Sequence, residues 1–383
     1  MVRSALAPSL VEIRSEFGLT HSQAGLLATS FLIGYTTMML PGGIVGGWLG
    51  RRRMVIGTAL GWTLGALFIG LAPAFPLLIV CMVGLGLIMG LFNANDRPIV
   101  SLVTPHDKMG IGQGLSYTGL GVGNAVGVIL AGVLASTWGW RASYLAFSAI
   151  SLLAVVMLWR IIPDLPREPI RAIRYAARTL LSSRDLWLLY LGGIPSVGAI
   201  WLLMTWTPTM LLEVTHLDLT TVSLLASSIG LAAVPALIGI GALSDWFVRH
   251  NLGRKATIAV CHALLGMGLA IAGLAFDRRW DASIIIGLLL TVGLIHWAAW
   301  APTYALLAET VPIPALGVAF GLGATVWALG AMAIPWLAGL IRDLTGSFTG
   351  SLYGLAALAF IGALLLAAVT PPFRLGPEKR LKG

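Results

Sequence analysis

Long apolar segments alternate with short polar ones along the whole chain. Apolar runs lie near residues 23–49, 54–72, 76–104, 113–136 and 142–162, and again near 186–212, 221–245, 256–276, 282–308, 315–341 and 351–370. Each run is close to the ~20 residues that a helix needs to cross a bilayer. The pattern predicts an all-α multi-pass membrane protein with eleven full spans. Residues 1–12 are typical of the tail of a truncated first helix, so we expect the natural start roughly 20 residues upstream, one span length.

The second half of the chain repeats the first at an offset of 207 residues. The offset matches, among others, Pro105 with Pro312, Gly110 with Gly317, Thr118 with Thr325 and Gly123 with Gly330. Long internal repeats are typical of membrane transporters. We therefore predict two pseudo-symmetric transmembrane bundles, at residues 1–162 and 186–370, with a connector at 163–185 and a tail at 371–383.

Composition indicates that the lipid bilayer is the solvent of this chain. The sequence is 58% hydrophobic and only 10% charged, with a mean hydropathy of +0.92, values that a water-soluble globule does not reach. The spans leave no room for a folded domain outside the membrane, so any activity must lie among the helices. The net charge of +9 comes from Lys and Arg in loops, where it sets orientation and does not indicate nucleic acid.

The distribution of Lys and Arg predicts the orientation. Residues 51–53, the connector and the tail are basic, whereas the loops that alternate with them carry few positive charges. Basic loops face the cytoplasm, so we expect a cytoplasmic C-terminus in a plasma or inner membrane. Basic residues recur at helical spacing in the connector, which predicts an amphipathic helix on the inner membrane surface. Its early prolines are equally compatible with a disordered tether.

One pair of ionisable residues lies inside an apolar run. Asp96 and Arg97 interrupt the span at 76–104, and a charge in hydrocarbon is costly unless it faces a partner or a watery cavity. Arg97 is therefore our first candidate for substrate binding. Asp96, about 100° round the helix, is expected to pair with a neighbouring helix, moderate the Arg97 charge or exchange protons. Alternatively, Arg97 snorkels to the headgroups and only anchors its helix.

The repeat indicates a second candidate surface. Asn93 lies one turn before Arg97, and the 207-residue offset maps their helix face onto His296, Trp300 and Tyr304. His296 is a candidate for proton coupling because imidazole titrates near neutral pH, although it can equally be a packing residue. Further candidates for substrate contact are Tyr117, Asn124 and Trp201. Interhelical hydrogen bonds and interfacial aromatic belts explain such residues as well.

The sequence predicts no cofactor, metal site or enzyme activity. Cys81 and Cys261 fall towards opposite membrane faces, the His residues are scattered, and no P-loop is present to use ATP. A membrane-embedded enzyme would need a nucleophile with its base, or clustered metal ligands, at one depth. The remaining functions are transport and signalling across the membrane.

The chain resembles the major facilitator superfamily of secondary transporters over its whole length. Residues 15–43 are similar to the family's first loop and second helix, residues 50–53 to the end of its loop signature, and residues 139–141 to the start of its sixth helix. The resemblance implies twelve helices in two six-helix bundles, with a central substrate site reached alternately from either side. The opening residues lean towards the family's organic anion symporter branch.

The sequence departs from the family's loop signature in its first half. The usual Asp-Arg pair is replaced by Gly47 and Trp48, which argues against an interior charge pair in this half. The second half keeps an acid, Asp245, followed after a longer loop by Arg254. We therefore assign gating to Asp245 and Arg254.

Two further departures bear on function. Cys81 stands where the family's helix-four signature has Arg, and Asn124 follows Gly123 where antiporters have a Gly-Pro dipeptide. The missing Gly-Pro dipeptide argues against proton-driven drug export. We predict a monomeric secondary transporter of a small organic anion, coupled to protons or another ion. Efflux of drugs or other hydrophobic compounds by antiport is the alternative within this class. A non-transporting membrane sensor is the alternative outside it.

Overall fold

The chain is built from long helices in the computed structural model, which describes residues 2, 5–19, 21–214, 225, 228–231 and 233–370. The helices are α1 (Leu6–Glu16), α2 (His21–Leu49), α3 (Arg51–Gly70), α4 (Phe75–Val103), α5 (Met109–Trp138), α6 (Trp140–Ile161), α7 (Ile170–Leu181), α8 (Arg184–Val214), α9 (Ala233–Arg249), α10 (Arg254–Asp277), α11 (Ala282–Thr310), α12 (Leu316–Thr345) and α13 (Thr349–Ala367). The predicted tail at 371–383 and most of the predicted span before Ala233 lie outside the described residues.

The predicted spans correspond to observed helices. Over the residues that the structure describes, each apolar run coincides with one of α2 to α6 or α8 to α13, and ten stretches there are long and apolar enough to cross a membrane. Many large apolar side chains on these helices face outward, as lipid contact requires. The prediction of an all-α multi-pass membrane protein is therefore confirmed. The shorter α1, with 11 residues, covers much of the predicted helix tail.

The internal repeat is visible in the helix boundaries. Helices α4 and α11 begin and end 207 residues apart, and so do α5 and α12. A short 3-10 helix precedes each member of the second pair, His106–Lys108 before α5 and Ile313–Ala315 before α12. The residue before a proline avoids the helical conformation, so the matched prolines Pro105 and Pro312 help to end α4 and α11 at equivalent places. The predicted pseudo-symmetry is confirmed at the level of helix lengths.

Helix packing divides the chain into two compact units. Unit 1 contains Met1–Leu102, Val122–Ala177 and Pro312–Thr325, and unit 2 contains Val103–Gly121, Arg178–Val311 and Val326–Gly383. The first turns of α5 therefore pack with unit 2, and the first turns of α12 pack with unit 1. The division into bundles at residues 162 and 186 remains a prediction.

Each unit has its own apolar core. In unit 1, α3 packs along α6, and Ile69, Leu78 and Phe147 are buried in the cluster that includes this contact. In unit 2, α10 packs along α11 and α13, with Leu265 and Leu269 fully buried. These cores hold the candidate residues on rigid helices.

Candidate functional site

Arg97 is held by the residue that precedes it in α4. Its Nη2 atom lies 3.1 Å from Oδ2 of Asp96, and its backbone N–H donates to Oδ1 of Asp96 at 2.7 Å. Only 8% of Arg97 is exposed. This contact supports the expectation that Asp96 moderates the Arg97 charge. The guanidinium thus has a carboxylate partner within unit 1.

A tyrosine joins the predicted polar face of α4. Asn93, one turn before Arg97, donates from Nδ2 to the hydroxyl oxygen of Tyr35 on α2 at 2.9 Å. Helical side chains lean towards the N-terminus of their helix, so the Arg97 side chain leans towards the turn that carries Asn93. Tyr35 was missed by the sequence argument. Its hydroxyl in the middle of a membrane-length helix, next to Thr36 and Thr37, was the available signal.

His296 is hydrogen-bonded at both ring nitrogens. Nε1 of Trp300 lies 3.2 Å from Nε2 of His296, and Oγ of Ser196 lies 2.9 Å from Nδ1. The indole N–H can only donate, so Nε2 must accept and the imidazole proton sits on Nδ1, donated to Ser196. His296 is therefore neutral in this arrangement, and protonating Nε2 would require breaking the bond to Trp300.

An aromatic cluster in unit 2 contacts this histidine through Trp297 and Trp300. We define it as Tyr117, Trp297, Trp300, Tyr304 and Trp327. Ring centroids lie 5.4 Å apart for Tyr117 and Tyr304 and 4.8 Å apart for Trp300 and Trp327, within the favourable range for aromatic pairs. The structure thus groups Tyr117 with the predicted face of α11.

The two remaining predicted residues lie on α5 and α8. Asn124 is on the part of α5 that belongs to unit 1, and Trp201 is on α8 of unit 2; both are half-buried. Within the described part of the chain, no three acid, His or Cys side chains are grouped as metal ligands.

Asp245 and Arg254 form a buried ion pair in unit 2. Nη1 of Arg254 lies 2.7 Å from Oδ1 of Asp245, and the Asp245 carboxylate accepts from the backbone N–H groups of Gly110 and Ile111 at 2.8 and 2.9 Å. These N–H groups belong to the first turn of α5, where a negative charge is favoured by the helix dipole. Arg254 also pairs with Glu309 at 2.7 Å. We call Arg254, Asp245 and Glu309 the Arg254 cluster.

Unit 1 contains a corresponding charge pair, contrary to the expectation from its sequence. Nη2 of Arg51 lies 3.0 and 3.2 Å from the two carboxylate oxygens of Glu168, and Nη1 donates to Oδ1 of Asn95 at 3.4 Å. The inference that this half lacks an interior charge pair is therefore wrong. It failed because the carboxylate comes from the connector and not from position 47. We call Arg51, Glu168 and Asn95 the Arg51 cluster.

Glu168 is buried against the end of α2. Its backbone N–H donates to the carbonyl oxygen of Gly47 at 3.0 Å. Burial raises the pKa of the Glu168 carboxyl, although the Arg51 charge opposes the shift. The only sequence signal for this residue was a single Glu between prolines in a basic connector.

The connector continues into a helix. Residues Ile170–Leu181 form α7, so this part is helical and not an irregular tether. Ile173 and Leu180 are buried, whereas Tyr175 and Arg178 are exposed. The amphipathic pattern of the connector is thus real, and at least part of its apolar side is covered by the protein itself.

A repeated set of membrane-length helices with apolar outer faces shows an integral membrane protein, and such internal repeats are typical of transporters. The family model of the Major Facilitator Superfamily matches residues 1–296, and the chain belongs to this family. The resemblance read from its motifs is therefore confirmed. The chain is a secondary transporter and not an enzyme.

Relatives and structures agree with this assignment. The chain is 26% identical over 391 residues to the probable sulfoacetate transporter of Cupriavidus necator, covering 92% of this chain and 88% of the relative. It is 23% identical over 397 residues to the D-galactonate transporter of Escherichia coli, covering 94% and 90%. The proton:xylose symporter XylE shares the fold, with a TM-score of 0.77 at 15% identity over 96% of this chain and 91% of XylE.

Proposed function

We propose that this transporter carries a small organic anion together with a proton, by alternating access. The observation that carries the proposal is the buried contact of 3.1 Å between Arg97 and Asp96. While Asp96 is ionised, its carboxylate binds Nη2 of Arg97, a hydrogen-bond donor that an anionic solute needs. Proteins similar to this chain are named for the anions sulfoacetate and D-galactonate, which supports an anionic substrate.

The Asp96 carboxylate links the proton to the anion. When Asp96 takes up one proton, its attraction for Arg97 weakens, and Nη2 of Arg97 can exchange Oδ2 for an oxygen of the substrate. The charge of the group is then balanced by the substrate and not by Asp96. When the anion leaves, Asp96 releases its proton and pairs with Arg97 again. One proton therefore accompanies each negative charge that Arg97 holds.

Arginine suits this role better than lysine. Its planar fork offers two parallel N–H groups to a carboxylate or sulfonate, whereas the lysine ammonium acts as a point charge. Removing one partner of a desolvated charge pair typically costs about 2 to 5 kcal/mol. We therefore expect Arg97→Lys to abolish measurable uptake although it keeps the charge.

Uptake of labelled D-galactonate and sulfoacetate into proteoliposomes tests the proposal. An acidic exterior should accelerate accumulation by the wild-type protein. Asp96→Asn should still exchange anion for anion but should not accumulate it in response to the pH gradient. Arg342→Lys, at an exposed pair with Glu213, is the matched control and should transport normally.

Arg97→Lys decides between binding and anchoring. Normal transport by this variant would remove Arg97 from the site, because lysine snorkels as well as arginine. If neither probe is transported, a ligand-stabilisation screen over other carboxylates, sugar acids, sugars and drugs identifies a further probe. Binding of a ligand without flux would favour the sensor alternative.

The aromatic cluster supports a second candidate, export of hydrophobic compounds. Its rings offer a stacking surface that an apolar solute could use. If the substrate is an anion, Trp300→Ala and Tyr304→Phe should weaken its binding less than Arg97→Ala does. If the substrate is apolar, the order should reverse. In either case we propose a monomer in the plasma or inner membrane with a cytoplasmic C-terminus.

A further inference from the structure

We infer that Glu168 of the connector supplies the carboxylate that position 47 lacks, and that it acts as the positioning residue for Arg51 in unit 1. In unit 2 the equivalent carboxylate, Asp245, lies on α9 itself. The inference goes beyond the proposed substrate and coupling ion, because it concerns how one end of unit 1 is held closed whatever solute is carried.

The missing side chain at Gly47 makes room for Glu168. A Cβ atom added at Gly47 would lie 2.8 Å from Oε2 of Glu168 and 2.9 Å from Cδ1 of Ile173. Both distances are shorter than ordinary contacts between such atoms. The connector therefore occupies the volume that a side chain at position 47 would fill, and the backbone N–H of Glu168 donates a hydrogen bond to the Gly47 carbonyl.

The Arg51 guanidinium is confined on several sides. Asn95 is oriented by hydrogen bonds from its Nδ2 to the carbonyl oxygens of Gly42 and Leu91, at 3.0 and 2.8 Å, and presents Oδ1 to Arg51. Nη1 of Arg51 would lie 2.7 Å from a Cβ atom on Gly317, at the start of α12. Arg51 thus packs against the first turn of α12 while Glu168 balances its charge.

Loss of the Glu168 charge should release this arrangement. A buried cation without its counter-charge is strongly disfavoured, so Arg51 should move towards water and leave the start of α12. The first turn of α12 would then separate more readily from α2. Glu168 therefore biases this end of unit 1 towards its closed form, and the connector takes part in opening it.

Labelling of a cysteine at position 318 measures this opening directly. Val318 is 2% exposed in the first turn of α12. We would introduce Val318→Cys into protein whose two cysteines are replaced, Cys81→Ala and Cys261→Ala. The purified protein in detergent is then reacted with a bulky, water-soluble fluorescent maleimide. No substrate is needed, so failure here is distinct from failure of the proposed function.

Moving the carboxylate provides the decisive variants. Glu168→Gln should raise the labelling rate about tenfold, the shift expected for a lost bias of ~1.4 kcal/mol. Gly47→Asp combined with Glu168→Ala and Ile173→Val should restore slow labelling, because the carboxylate returns to the end of α2 and its clashes with Glu168 and with Cδ1 of Ile173 are gone. Asp164→Asn, a charge-matched change at an exposed connector residue paired with Arg52, should label like the parent protein.

Two results would overturn the inference. One is a folded Glu168→Gln variant that labels at the parental rate. The other is a relocated carboxylate that leaves labelling fast. Should Glu168→Gln fail to fold, the relocation variant decides alone: a folded protein with slow labelling supports the role of the carboxylate, and an unfolded or fast-labelling one rejects it.

Discussion

The Arg51 and Arg254 clusters each balance the charge of a buried arginine, but they do so with carboxylates from different parts of the chain. Arg51 begins α3 and Arg254 begins α10, and each follows a glycine with positive φ, 101° at Gly50 and 68° at Gly253. Each arginine is only 2% exposed. The two halves thus bury a guanidinium at the same point of the fold, and each must supply a negative charge there.

The two clusters differ in where that charge comes from. The Arg254 cluster takes both carboxylates from long helices, Asp245 from α9 and Glu309 from α11. The Arg51 cluster takes its carboxylate, Glu168, from the connector before α7. A carboxylate on a packed helix cannot leave its partner without moving the helix, whereas one on a connector can leave with the connector. We therefore expect the Arg254 cluster to be rigid and the Arg51 cluster to be separable.

Removal of each arginine should give the largest difference between the clusters. Arg254→Ala leaves two carboxylates buried on rigid helices, and breaking a buried pair in this way typically costs about 3–5 kcal/mol. Arg51→Ala leaves only Glu168, which the connector can carry to water, so we expect roughly 1–3 kcal/mol. Thermal unfolding in one detergent should show the larger drop in Tm for Arg254→Ala.

The control for this pair is an exposed arginine. Arg342→Ala breaks the pair with Glu213 at the surface, which should cost less than about 1 kcal/mol. Equal drops in Tm for Arg51→Ala and Arg254→Ala would show that the connector holds Glu168 as firmly as a helix holds Asp245.

Loss of charge at Asp245 should affect turnover more than affinity. Asp245→Asn keeps the shape of the residue but weakens its bonds to Arg254 and to the first turn of α5. We expect about tenfold slower D-galactonate transport, equivalent to roughly 1.4 kcal/mol in the barrier, with the Kd little changed. A large loss of affinity with normal turnover would place Asp245 in the substrate site.

The smallest expected effect is a change with pH in the Tm difference between the wild type and Glu168→Gln. Burial against α2 raises the pKa of Glu168 while Arg51 opposes the shift, so the folded protein binds this proton more readily than the unfolded chain does. The stability contributed by this group therefore falls as pH rises from the ordinary range of Glu to the raised pKa. The glutamine of Glu168→Gln cannot titrate. As pH is lowered through that window, the Tm of the wild type should therefore rise relative to the Tm of Glu168→Gln. A difference that is independent of pH would contradict this linkage.

The predictions that succeeded rested on neighbours in sequence. Apolar runs and the 207-residue offset marked helices whose ends the structure reproduces, because both are properties of contiguous segments. The contact between Asp96 and Arg97 was likewise within reach, since adjacent residues cannot lie far apart. Asp245 and Arg254 were both assigned to gating because one motif contains them on either side of a single loop.

The Glu168 contact was not within reach of the sequence. Arg51 and Glu168 are separated by 117 residues, and no motif or period relates them. Position 47 showed only that an expected acid was missing, because a glycine does not indicate which distant side chain uses the space it leaves. The contact between Trp327 and Trp300 was also beyond the sequence, because no motif or period relates these two residues.

The amino-acid sequence by itself determined the membrane-spanning helices, their repeat and the family. A long apolar segment in a bilayer must satisfy its backbone hydrogen bonds internally, and a helix does this without help from the rest of the chain. Tertiary packing alone decided that the buried Arg51 meets Glu168. Such a meeting depends on how helices and the connector approach one another, and a buried arginine accepts whichever carboxylate the packing brings within reach.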